Sequence, residues 1–165
     1  MTALRKSVQI AAKLAVPNAD RSHSTLVVHG DFLIPTGFAI NNVVEMVPLP
    51  AGMVLTSLTV DNASLGGTMT ANIGILTGLY DAAFLADGTT LRTCGAEYIS
   101  AAPLQTASLL RNSQVGSTRV AAVTDDGLGN QFNRSIGFVC TAATSPTVGA
   151  AIRFTATMRH TVNGT

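Results

Sequence analysis

The chain is short of charge, of aromatic rings and of lysine. Charged residues make up 12% of its 165 positions, about half the usual quarter, and the two lysines, Lys6 and Lys13, both lie near the start. With a formal net charge of +1, binding to nucleic acid or to a membrane surface through charge alone is not expected. Tryptophan is absent and only two tyrosines occur, which leaves little for a sugar-stacking platform. The two cysteines, Cys94 and Cys140, are far apart with no C-x-x-C partner, arguing against a zinc knuckle or a dithiol redox pair and for two free, buried thiols. No apolar run approaches the roughly 18 residues of a membrane span. The opening "VQIAAKLAV" is interrupted by Lys13 and is too short and polar for a secretory core, so the default compartment is cytoplasmic.

What is present is Thr, Ser, Asn and Gly in quantity, the habit of β-rich proteins. The positive charge is unevenly placed. Arg5, Lys6, Lys13 and Arg21 stand against Asp20 in the first 23 residues, while six Arg face eight acids in the rest. Residues 1–23 are therefore predicted to be an N-terminal arm, with Leu4, Val8, Ala11 and Leu14 on a weak helical stripe too short to be stable alone. Residues 24–165 are predicted to be one domain.

The domain reads as a series of short strands. In Thr25 to Ile34, Leu26, Val28, Phe32 and Ile34 alternate with Thr25, His29 and Asp31. Val43 to Val47 follows, then Met53 to Val60 with Val54, Leu58 and Val60 on a common face. Between them Pro48-Leu49-Pro50-Ala51-Gly52 marks where one strand leaves a sheet, since proline has no N–H for a ladder. Leu65-Gly66-Gly67 precedes a strand with Met69, Ala71, Ile73 and Ile75 on one side. "LYDAAFLADGTT" is a loop or helical turn, Leu91 to Val123 a short helix or irregular strands around Pro103, and "TDDGLGNQFN" a loop. Two strong strands close the chain, with Ile136, Phe138 and Cys140, then Ala150, Ile152, Phe154, Ala156 and Met158, facing the core. Six or more strands at hairpin spacing, without βαβ alternation, predict an all-β fold: an antiparallel β-sandwich or jelly roll with an extended N-terminal arm.

Catalytic signatures do not emerge. His23, His29 and His160 lack metal-ligand spacing, no G-x-S-x-G frames a serine, and "TDDGLGN" lacks the alternating ligands and terminal Glu of a calcium loop. The only glutamates, Glu45 and Glu97, would have to oppose one another across a cleft to cleave a glycoside; Glu45, among Val43, Val44, Met46 and Val47, is read as lying on the solvated face of a strand. No enzyme activity, metal or cofactor is expected.

The order "VVHGDFLIPTGFAINNVVEMVPLPAGMVLTSLTVDN", then "LRTCGAEYISA", "NRSIGF" and "AAIRFTATMRH", resembles the head-decoration or cement proteins of tailed bacteriophages over about Val27 to Arg159. That resemblance implies a jelly-roll module on the outside of an icosahedral capsid, assembled in the host cytoplasm, bridging capsomers as a dimer or trimer. Its partners would be the major capsid protein and its own copies, with no nucleic acid or membrane. The competing reading is a carbohydrate- or receptor-binding β-module of a phage fibre or a secreted lectin-like protein.

Candidate contact residues are Arg5, Lys6 and Lys13 in the arm, which is expected to be mobile in the free protein and to order on a neighbouring subunit or the shell. Arg153 and Arg159 join them, on one face of the last strand with Thr155 and Thr157 and positioned to meet acids on a neighbour.

Overall fold

The structure is a computed structural model that describes residues 3–12, 25–112 and 132–160. Among these residues nine strands form two sheets: β1 (Leu4–Lys6), β2 (Leu26–Leu33), β3 (Val43–Leu49), β4 (Met53–Asn62), β5 (Thr70–Ile75), β6 (Ile99–Pro103), β7 (Ser108–Asn112), β8 (Arg134–Ala142) and β9 (Ala151–His160). A single helical turn, α1 (Val8–Ala11), follows β1. Sheet A has the order β1-β3-β8-β5-β6 and sheet B the order β2-β9-β4-β7.

The connectivity has a simple rule. β2 pairs with β9, β3 with β8, β4 with β7 and β5 with β6, all antiparallel. The chain thus folds back on itself as one long hairpin with its tip between β5 and β6, and successive pairs alternate between the two sheets. Lateral pairing of β4 with β9 and of β5 with β8 then completes each sheet. This is the all-β sandwich anticipated from the sequence, with eight of its strands, β2 to β9, paired in a nested order.

The core lies between the sheets and is built from the alternating positions. Phe32, Phe138 and Phe154 come from β2, β8 and β9, and Phe38 from the loop after β2. Phe138 is central, with ring centroids 6.2, 6.3 and 6.0 Å from Phe32, Phe38 and Phe154. Such offset and edge contacts each add about 0.5–1.5 kcal/mol beyond the area they bury.

The proline corner carries the chain from sheet A to sheet B. Pro48 still lies in β3, opposite Ser135, and the turn closes with Met53 N donating to Pro50 O at 3.1 Å. Gly52 has φ +74, the left-handed geometry that a type II turn requires at this position.

Two expectations are corrected, and one open alternative is decided. Val54 does not share the inward face of Leu58 and Val60: register slips between Leu55 and Ser57, so Met53 and Leu55 point inward before the bulge, and Leu58 and Val60 after it. An extra residue in one strand reverses the alternation. Of the two alternatives for Leu91 to Val123, the described part takes the strands, β6 and β7, and holds no helix.

The second correction concerns the start of the chain. Leu4 belongs to a strand parallel to β3, Val8 is 59% exposed, and Ile10 is the buried residue of α1, so no helical stripe runs through Leu4, Val8 and Ala11. Leu14 lies outside the described residues, as does the "TDDGLGN" loop. Ser7 caps the turn by accepting from Ile10 N at 3.3 Å while donating to Met46 O at 2.7 Å. Gln9 holds Asp31 by both its backbone N–H and its carboxylate, each at 2.9 Å, which occupies part of the β2 edge.

Candidate functional site

The sequence-predicted contact cations are not gathered in one place. Arg5 sits on β1 at the rim of sheet A, its Nε 2.8 Å from Asn42 Oδ1 and its guanidinium 5.8 Å from the Phe38 ring centre. Lys6 reaches the connector between β5 and β6, where its Nζ bonds Asp81 O at 3.0 Å and also Asp81 Oδ1. Both side chains are engaged within their own chain. Lys13 lies outside the described residues.

Arg153 and Arg159 lie on the outer face of sheet B. Across that face, Val27, Thr157 and Ser57 form one row, His29, Thr155, Thr59 and Arg111 the next, and Asp31, Arg153, Asp61 and Leu109 a third. Arg153 Nε is 2.6 Å from Asp31 Oδ1, with the side chains 60% and 37% exposed, so solvent screens the pair and it contributes little to stability. Partial burial alone would raise the Asp31 pKa, but the hydrogen bonds from Arg153 and Gln9 outweigh it and hold the carboxyl below its ordinary value. His29 Nδ1 lies 3.0 Å from Thr155 Oγ1, the cross-strand role anticipated for it. The face mixes four hydroxyls with charged side chains, and Val27, Leu33 and Leu109 are exposed on it.

The most constrained polar group was missed by sequence reasoning. Glu45 has no solvent exposure, contrary to the solvated-strand reading. It lies on the side of sheet A away from the core, where the connector 76–98 covers it. Arg92, equally buried, places Nη1 2.6 Å from Glu45 Oε1, Nη2 2.6 Å from Ser135 Oγ and Nε 2.7 Å from Thr77 O. Nη1 also donates to Ala82 O at 3.2 Å, and Asp81 N donates to Glu45 Oε1 at 3.1 Å. Glu45 Oε2 has no hydrogen-bond partner among the described residues.

The connector can approach so closely because Glu45, Gly137 and Gly74 form one row across β3, β8 and β5. A Cβ at Gly137 would stand 2.0 Å from Val44 O and 2.7 Å from Leu76 Cδ1, and one at Gly74 would stand 1.9 Å from Glu97 Oε2. Glu97 Oε2 in turn accepts from Ile75 N at 3.0 Å, extending the β5 ladder where β6 has left it. These two in-strand glycines were the available signal, since glycine inside a strand often marks close backbone approach.

The two glutamates serve separate structural roles: Glu45 binds Arg92, and Glu97 binds a strand N–H. Cys140 is buried and Cys94 half-buried, and both are free. Burial pushes the Cys140 thiol up to about 11. It likewise raises Cys94, helped by the charge of Glu97. Among the described residues no group of three or more His, Cys, Asp or Glu is placed to hold a metal ion, and no helix is long and apolar enough to cross a membrane.

No protein-family model and no curated protein matches the chain. Among solved structures, a chain in the capsid of Ralstonia phage GP4 superimposes with a TM-score of 0.76 at 19% identity, over 98% of this chain and 100% of that one. A chain of the cyanophage Pam1 capsid asymmetric unit gives a TM-score of 0.47 at 16% identity, over 90% and 93% of the two chains. The full-length likeness to the GP4 capsid chain shows that the all-β sandwich described above is a fold this chain shares with a protein found in a phage capsid.

Proposed function

We propose that this protein is a virion structural protein, a decoration or cement module that binds the outside of a phage capsid and stabilises it by bridging neighbouring capsomers. The observation that carries this reading is the end-to-end superposition on a chain from the GP4 phage capsid. The whole described fold, including β1 and the 76–98 connector, is spent on a rigid sandwich.

The outer face of sheet B suits extensive contact. Its rows carry the Ser57, Thr59, Thr155 and Thr157 hydroxyls and exposed Val27 and Leu109, with Arg153 already paired to Asp31, and burying hydroxyls that find partners costs less than burying unpaired charge. Arg159, exposed at the end of β9, and Lys13 are the cations assigned to acidic groups on the partner. Arg153 carries its own acid, Asp31, into the contact. In this reading the partners are the major capsid protein and further copies of the chain as a dimer or trimer, and the protein performs no catalysis.

The test is co-sedimentation of the purified protein with expanded shells, followed by thermal melting of shells with and without it. The proposal expects saturable binding and a higher melting temperature. Failure to sediment, or shells that melt identically under heat, low salt and chelation, overturns it. Arg153→Glu with Arg159→Glu should fold normally and weaken binding; unchanged binding would remove this face from the contact.

A further inference from the structure

Two reactive groups from separate parts of the chain, Lys6 and Asp81, meet at the connector, and a third, Glu45, lies one backbone hydrogen bond from Asp81. Lys6, at the end of β1, stands in register with Glu45 of the parallel neighbour β3. Asp81, in the connector at φ +60, is fixed by its own N–H to Glu45 Oε1 at 3.1 Å. Lys6 Nζ bonds Asp81 through both its main-chain oxygen and its carboxylate, and their side chains are 28% and 34% exposed. Glu45 is fully buried and one of its oxygens has no hydrogen-bond partner among the described residues. Tyr80, adjacent to Asp81, senses the same cluster: burial, then the charges of Glu45 and Asp81, raise its phenol pKa.

We propose that Lys6 and Asp81 condense into an intramolecular isopeptide bond, Nζ to Cγ, with Glu45 as the proton relay. A nucleophile held against an electrophile in a folded chain gains the effective concentration of an intramolecular reaction, about 10⁵–10⁸ M when well oriented. The ammonium first passes one proton to the Asp81 carboxylate within the ion pair. The neutral amine then attacks Cγ, Glu45 takes a second proton from nitrogen and delivers it to the departing oxygen, and water leaves. The ammonium and carboxylate charges cancel, one C–N bond replaces one C–O bond, and Glu45 returns to its starting state. No oxidant or co-reactant is needed. Buried Arg92, bound to the other oxygen of Glu45, positions the relay.

The bond would fasten the first strand to the connector 75 residues later. The arm would then be covalently part of sheet A.

Intact-mass spectrometry of the purified full chain tests this directly. The expected mass is about 18 Da below that of the sequence, one water lost in the condensation, with digestion yielding a branched peptide joining Lys6 to Asp81. The full mass persisting after prolonged incubation at physiological temperature overturns the proposal. So does a mass loss without the branched peptide, which would signal a succinimide. Lys6→Arg should abolish the loss, and Asp81→Asn should instead lose about 17 Da as ammonia; loss of water persisting in Lys6→Arg refutes the linkage. Glu45→Gln, shown by circular dichroism to remain folded, should stay at full mass. If it still condenses, the relay assignment fails; if Glu45→Gln does not fold, the wild-type mass and the other two variants still decide whether the bond forms.

Discussion

Replacing Arg92 by methionine removes the cation of the buried cluster while keeping most of the side-chain volume. It leaves Glu45 with no exposure and no countercharge, and it strips donors from Ser135 Oγ, Thr77 O and Ala82 O. Breaking one partner of a buried pair costs about 3–5 kcal/mol, against a total stability of about 5–15 kcal/mol for a domain. For a chain of this size each kcal/mol moves the melting temperature by about 2–4 °C, so Arg92→Met should melt roughly 6–20 °C lower. The companion variant Glu45→Leu with Arg92→Met removes both charges. It should recover most of the loss, because a buried pair is often no better than a well-packed apolar one. Urea unfolding by circular dichroism at neutral pH, with both variants beside the wild type, measures the difference. If Arg92→Met stays within about 1 kcal/mol, the cost of an unpaired buried carboxylate is not being incurred, and the tight packing of the connector over Glu45 is refuted.

Gly137→Ala should destabilise by more than about 2 kcal/mol, since its methyl group would meet Val44 O of β3 at 2.0 Å and Leu76 Cδ1 of the connector at 2.7 Å; wild-type urea midpoints would show that β3 and the connector do not sit this close. Phe138→Ala, at the centre of the aromatic cluster, should cost about 3–5 kcal/mol by the same assay. Asp87 is held at about 2 instead of its ordinary 3.8, mainly by the Thr90 hydroxyl and then by the Thr90 and Thr89 backbone N–H groups. Because the folded pKa is the lower one, its stabilisation is complete above 3.8 and lost as pH falls through about 2; an NMR titration should find this, and Thr90→Val should move the midpoint upward. With Cys140 pushed up to about 11 and Cys94 also raised, neither thiol should react with a disulfide reagent at neutral pH until the protein is unfolded; fast labelling of the native chain would contradict their burial.

The sandwich was legible wherever a strand keeps its parity. The even positions from Leu26 to Ile34, the odd ones from Met69 to Ile75 and the even ones from Ile152 to Met158 all face the core, because one buried face imposes a period of two on the sequence. Val54 misled because the slip after Leu55 is a backbone event that leaves no gap in the run of apolar and hydroxyl side chains. β6 resisted for a different reason: of Ile99–Pro103 only Ala102 is fully buried, so an edge strand has little pattern to show. The Glu45 cluster was signalled only by Gly74 and Gly137, which mark a close approach without naming its partner; the partner, Arg92, lies 47 residues away, and no local pattern announces such a pairing. Arg153 was rightly placed on an exposed face, but its acid, Asp31, belongs to the strand that β9 meets only when the chain has closed on itself.

The nested pairing also dictates an order of events during synthesis. β9, made after every other described strand, lies in the middle of sheet B between β2 and β4, and β8 lies between β3 and β5. On a ribosome adding about 5–20 residues per second, β4 ends at Asn62 and must wait roughly 4–18 s for Ala151 to emerge. Throughout that interval β2 and β4 have open edges and no central partner, so the nascent chain is exposed to strand exchange with its neighbours on a polysome. A chain truncated before β9 should therefore be insoluble, and one given a chaperone that shields strand edges during translation should give a higher soluble yield.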